Sequence, residues 1–129
     1  MSKFFLSVAA LLLSCVIASA QTPPAPSRWV NQRGSELLVL TADGQGGFSG
    51  YFTNRAAGFG CQNQPYAATG KPVQNKFYFV VTFPECNTVT VWRSIIVGNT
   101  IRSYWDLSYV DSAGTLRRAN GTDVFTRAP

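Results

Sequence analysis

From Trp29 onward the chain reads as short runs of alternating apolar and polar residues, separated by clusters of Gly, Asn, Asp and Pro. Alternate side chains of a strand share a face, so this pattern predicts strands. The predicted strands are Arg28–Asn31, Ser35–Thr41, Gly47–Asn54, Tyr66–Lys71, Lys76–Phe83, Thr88–Val97, Thr100–Tyr109 and Gly121–Arg127. Turn chemistry marks the breaks at Asp43-Gly44-Gln45-Gly46-Gly47, Gly98-Asn99, Asp111-Ser112-Ala113-Gly114 and Asn120-Gly121. No amphipathic helix of useful length interrupts them. Eight short strands at regular spacing predict an all-β sandwich or antiparallel up-and-down barrel, and the short connections favour a meander. The one long connection, Arg55–Pro65, contains Cys61, and long ordered loops on barrels often carry function.

Strand phase then divides the faces. Phe77, Phe79, Val81 and Phe83 form one inward set; Gly50, Phe52 and Asn54 a second; Ser103, Trp105 and Leu107 a third. Thr88, Thr90 and Trp92 share a face in the run Asn87-Thr88-Val89-Thr90-Val91-Trp92-Arg93. A simple core face would carry aliphatic residues there. Two hydroxyls in phase with an indole instead suit the wall of a small-molecule pocket, mostly apolar with a few placed polar groups. Asn31, Ser35, Asn54, Thr88, Thr90 and Asp123 all fall near predicted strand ends. Each could cap a turn or meet water; if they converge, they need hydrogen-bond partners, which a ligand could supply.

The N-terminus stands apart from this pattern. Lys3, the apolar run Phe4 to Leu13 and Ala18-Ser19-Ala20 read as a secretory signal peptide over residues 1–20. The run is short for a spanning helix, although a retained anchor and a lipoprotein signal lipidated at Cys15 are the alternatives. Residues 21–27 hold three prolines and read as an extended leader, with the barrel domain over 28–129. Removing the signal leaves about 109 residues, one domain's worth. Export, to the periplasm or beyond the cell, makes pairing of the two remaining cysteines, Cys61 and Cys86, the expected state.

Composition narrows the function. The chain has no histidine, which removes Ser-His-Asp and Cys-His catalysis and the common zinc sites. No paired carboxylates or metal cluster stand at suggestive spacing, so neither an enzyme nor a metal site is expected. The formal charge is +5, but Arg28, Arg33, Arg55, Arg93, Arg102, Arg117, Arg118 and Arg127 are dispersed. A nucleic-acid partner would need a concentrated basic face. Nor is a membrane partner expected.

Five segments taken in order resemble the avidin/streptavidin family. Trp29-Val30-Asn31-Gln32-Arg33-Gly34-Ser35 is similar to its opening strand pair, and Gly50-Tyr51-Phe52 to its Gly-x-Tyr strand. Thr88-Val89-Thr90-Val91-Trp92 resembles Ser-x-Thr-x-Trp, Ser103-Tyr104-Trp105-Asp106-Leu107 resembles Thr-x-Trp-x-Leu, and Asp123-Val124-Phe125-Thr126 resembles Asp-x-Phe. The loop from Asn54 to Tyr66 looks like that of the rhizavidin-type dimeric bacterial avidins, which carry a loop disulfide equivalent to Cys61–Cys86.

The resemblance implies an eight-stranded antiparallel up-and-down barrel that binds biotin, without catalysis or cofactor. It implies that Asn31 and Ser35 hold the ureido oxygen, with Phe52 in the place of a third donor, a Tyr. Asn54 and Asp123 would meet the ureido N–H groups, and Thr90 the ring sulfur. Thr88 and backbone N–H groups around Ala56 and Ala57 would meet the carboxylate. Trp92 and Trp105 would form apolar walls, and Phe83 stands where the family has another Trp. The family's tetramers complete each pocket with a neighbour's Trp; residues 112–119, where it would fall, have none, which implies a self-contained pocket and a homodimer. Two alternatives are an exported β-barrel protease inhibitor using residues 21–27 as an inserted arm, and an avidin-fold protein with another small ligand.

Overall fold

The computed structural model describes residues 22–129. The expected signal peptide and Cys15 lie outside the described residues. The eight strands are β1 (Ser27–Asn31), β2 (Glu36–Ala42), β3 (Phe48–Thr53), β4 (Pro65–Val73), β5 (Lys76–Phe83), β6 (Thr88–Val97), β7 (Thr100–Val110) and β8 (Leu116–Ala128). Each pairs antiparallel with its sequence neighbour, and β8 returns to β1, so the sheet closes into the expected barrel. Closure leaves no strand edge free to template pairing with other chains.

One predicted break is absent. Asn120 and Gly121 lie inside β8, opposite Asp106 and Trp105 of β7. The turn is made earlier, where the Asp111 carboxylate accepts from the Ala113 and Thr115 N–H groups at 3.0 and 2.9 Å and Gly114 takes φ 78°. That Asx-type turn satisfies two backbone donors before Asn120 is reached. Gly121 serves packing instead. A Cβ there would lie 2.6 Å from Trp105 Cε2, so the glycine gives the indole its place against the barrel wall. Gly70 does the same for Phe48, its partner across β3 and β4.

A bulge in β2 between Val39 and Thr41 is accommodated opposite Gly50, whose absent side chain lets the Leu38 backbone approach. The strand keeps its phase, so Phe52 faces inward and Tyr51 outward. Of the inward sets read from the sequence, Phe52, Phe83 and Trp105 lie toward one end of the barrel, and Phe77, Phe79 and Val81 help close the other. Trp29, Leu37, Val39, Phe48, Phe77, Phe79, Val81, Ile101 and Phe125 pack there, all buried. Phe79 stacks on Trp92 at 4.6 Å and 7°, beyond what area burial alone contributes.

The leader differs from a free arm. Ser27 belongs to β1, Pro23 is buried and Ala25 packs against the core cluster. The Trp29 indole N–H donates to Ser27 Oγ at 2.8 Å, and Ser27 donates on to the Pro24 carbonyl. These contacts hold the leader to the barrel.

Candidate functional site

At the end opposite the aromatic plug the barrel opens into a cavity of about 570 Å³. Asn31, Ser35, Phe52, Asn54, Ala56, Phe83, Thr88, Thr90, Trp92, Trp105 and Asp123 all line it. They come from six strands and two connections and meet because these strand ends share one rim. Ala57 is exposed and stands off the cavity wall.

The polar members are fixed by their own turns. Asn31 Oδ1 accepts from the Arg33 and Ser35 N–H groups at 3.0 and 2.9 Å. Its carbonyl is thereby occupied, leaving the Nδ2 amide as a donor. Ser35 Oγ accepts from the Arg55 N–H at 2.9 Å and makes only a long contact, 3.4 Å, to Asn54 Oδ1, so its proton is available. Asn54 Oδ1 accepts from the Ala56 N–H at 3.0 Å, which uses that backbone donor within the loop. Thr88 Oγ1 donates to the Cys86 carbonyl at 2.8 Å, tying β6 to the turn before it. Thr90 is buried beside these groups.

Asp123 is the carboxylate of the cavity and is only 4% exposed. An ionised carboxylate in such a place needs charge-assisted partners. Its Oδ2 accepts the Trp92 indole N–H at 2.9 Å. Its Oδ1 pairs with Arg33 Nη1 and accepts from Gln32 Nε2 at 3.2 Å. Gln32 also donates to the Thr122 carbonyl and accepts the Val124 N–H, at 3.0 and 2.9 Å. The β1–β2 turn is thus stitched to β8 around the carboxylate.

Aromatic rings supply the rest of the wall. Phe52 lies 4.6 Å from Trp92 and 6.4 Å from Phe83, and Phe83 packs on Tyr66 at 4.8 Å. The Trp105 Nε1 is buried with no hydrogen-bond partner among the described residues. The loop after β3 covers one side of the mouth with Gly58, Phe59 and Gly60. The disulfide expected from the sequence, Cys61–Cys86, ties this loop to the turn between β5 and β6. Within the loop, Gln62 Nε2 donates to the Ala56 carbonyl.

Several lining residues were outside the sequence-derived set: Arg33, Leu107, Tyr109 and Ala119 among them. Phase with Ser103 and Trp105 places Leu107 inward without assigning it to the site, and Tyr109 continues that phase, so periodicity could have extended the set to both. Ala119 follows once Leu107 is placed, because the two pair across β7 and β8. Arg33 had no signal, since a turn residue has no strand phase. No group of three or more metal-ligating side chains occurs among the described residues.

Comparison with known proteins agrees with this geometry. The model of the avidin family matches residues 19–128. Afifavidin from Afifella pfennigii is 36% identical over 113 residues, which cover 81% of this chain and 69% of that protein. Among solved structures, a bradavidin2–biotin complex superimposes with a TM-score of 0.78 at 47% identity, covering 83% of this chain and 100% of the other. A rhizavidin–biotin complex gives 0.71 at 32% identity, covering 84% and 98%.

Proposed function

The chain belongs to the avidin family, and we propose that it binds biotin non-covalently in the barrel mouth, one molecule per chain, without catalysis or cofactor. The observation that carries this reading is the convergence of Asn31, Ser35, Asn54 and Asp123 on one aromatic-walled cavity. Asn31 Nδ2 and the Ser35 hydroxyl are donors suited to the ureido oxygen. Asp123 is an acceptor suited to a ureido N–H. Donors at the oxygen and an anion at the nitrogen polarise the urea in the same sense, and each strengthens the other in a low-dielectric site. Thr90 is assigned to the ring sulfur, and Trp92, Trp105 and Phe83 to the apolar walls. The carboxylate tail is assigned to Thr88 and the loop at Ala56 and Ala57. The Ala56 N–H is engaged by Asn54, the Thr88 hydroxyl donates to the Cys86 carbonyl and Ala57 is off the wall, so Thr88 serves the tail by turning its hydroxyl away from that carbonyl.

Two aromatic residues set the affinity below that of relatives with a full donor set. Phe52 has no hydroxyl to offer the ureido oxygen, a loss of about 1–3 kcal/mol. Phe83 presents less apolar surface than an indole. Export follows from the signal-like residues 1–20 and fits the Cys61–Cys86 disulfide. A homodimer is the assembly we assign, since residues 112–119 hold no Trp to lend to a neighbour's pocket. Neither nucleic acid nor membrane is a partner in this reading; no helix among the described residues is long and apolar enough to cross a membrane.

Calorimetric titration of the processed protein with biotin tests the proposal. Binding with one site per chain is expected. No heat and no thermal shift at millimolar biotin would overturn it, and a different small molecule found in the cavity would then mark an avidin-fold protein with another ligand. Asp123→Ala should weaken biotin binding by roughly tenfold or more, the scale of a hydrogen bond to a charged group.

A further inference from the structure

Arg33 makes two contacts that a bound cyclic urea would also use. Its Nη1 pairs with Asp123 Oδ1, and its guanidinium lies 5.8 Å from the centroid of the Trp105 ring. A guanidinium is planar, edged with N–H donors, and stacks on aromatic faces. In shape and donor pattern it resembles the N–H edge of a urea. Asp123 Oδ2 is taken from within the wall by the Trp92 indole, and Gln32, the other donor to Oδ1, is not a lining residue. The cavity-side approach to the carboxylate is therefore the one Arg33 covers.

Resting on the biotin reading above, we infer that Arg33 is an internal competitor: a side chain of the protein that occupies the N–H-accepting position at Asp123 and lowers affinity for ligands of the cyclic urea class. The geometry of the turn suits this role. The Arg33 backbone N–H is held by Asn31 Oδ1 at 3.0 Å, and the turn is fixed to β8 through Gln32. The side chain is 38% exposed, so it can leave for solvent while its backbone stays in place. Ligand then binds the fraction of molecules in which Arg33 is out. Apparent affinity falls by that fraction, and so does the association rate when the side chain moves quickly.

The test compares the wild-type protein with Arg33→Ala, Arg33→Ser and Arg33→Lys. Biotin affinity is read by calorimetry, association by stopped-flow tryptophan fluorescence, and the thermal midpoint without ligand by calorimetric scanning. Arg33→Ala and Arg33→Ser should bind biotin at least tenfold more tightly, with the gain in association rate and dissociation little changed. Their ligand-free midpoints should fall, because the ion pair is gone. Arg33→Lys keeps the charge but not the planar fork and should fall between. Opposite movement of affinity and midpoint separates competition from a merely structural role, which would lower both. Binding by Arg33→Ala where the wild type shows none also supports the inference. Wild-type binding that Arg33→Ala and Arg33→Ser leave equal or weaker overturns it and spares the biotin reading. No binding by any of the four proteins overturns both.

Discussion

A Cβ at residue 121 would lie 2.6 Å from Trp105 Cε2, so Gly121→Ala should force the indole off its wall. The expected cost is about 1–3 kcal/mol, as for other overpacked cores, together with weaker biotin binding. Chemical denaturation midpoints and a titration would measure the two. Phe52→Tyr is the complementary experiment at the opposite wall. Phe52 is buried against Trp92 and lines the cavity, and a phenol there restores a donor of the kind the resemblance implies. The expected gain is roughly tenfold in biotin affinity, equivalent to about 1.4 kcal/mol. At this scale the sequence was informative wherever a side chain had strand phase. Phe52, Thr90, Trp92 and Trp105 were placed on the interior by alternation alone. Gly121 was misread because its dipeptide favours turns, and nothing local says that an indole lies across from it.

Among the elements, two connections carry testable stability. The Cys61–Cys86 bridge spans a sequence separation of 25, for which chain-entropy reasoning gives about 3 kcal/mol. Replacing both cysteines with serine should lower denaturant stability by about that amount. It should also speed biotin dissociation, because the loop over the mouth loses its anchor at the β5–β6 turn; stopped-flow chase experiments would read this. The β7–β8 turn depends on pH. Hydrogen bonds to Asp111, first from the Thr115 N–H and then from the Arg117 side chain, hold its carboxyl below the usual carboxylate range. A depressed carboxylate contributes stability that is complete above its unfolded value and lost as pH falls through its folded one. Amide exchange at Ala113 and Thr115 should therefore quicken as acid protonates Asp111, and Asp111→Asn should remove that dependence. Turn chemistry was legible at Asp43–Gly47, Gly98-Asn99 and Asp111–Gly114. Where two turn signals stood close together, the winner was set by β7, whose pairing with β8 runs from Thr100 to Val110.

For the whole molecule, the division of labour along the barrel explains the site. One end is filled by aromatic and aliphatic side chains, and the other holds a polar-rimmed cavity. With no Trp in residues 112–119 to lend to a neighbour's pocket, one biotin per chain is expected whatever the assembly. Light scattering on the processed protein should report two copies per particle, and dilution to monomer should leave the stoichiometry unchanged. The sequence by itself determined that this chain is a meander of eight strands, which residues face inward, that Cys61 and Cys86 are available to pair, and which polar groups stand near strand ends. Those are consequences of a two-residue period and of local turn preferences, which act within a few bonds. Only the tertiary structure decided that the strand ends converge, that Asn120 and Gly121 continue a strand, that the leader packs on the barrel, and that Arg33 reaches Asp123 across 90 residues of sequence. These depend on barrel closure and cross-strand register, which bring together groups that no local pattern connects.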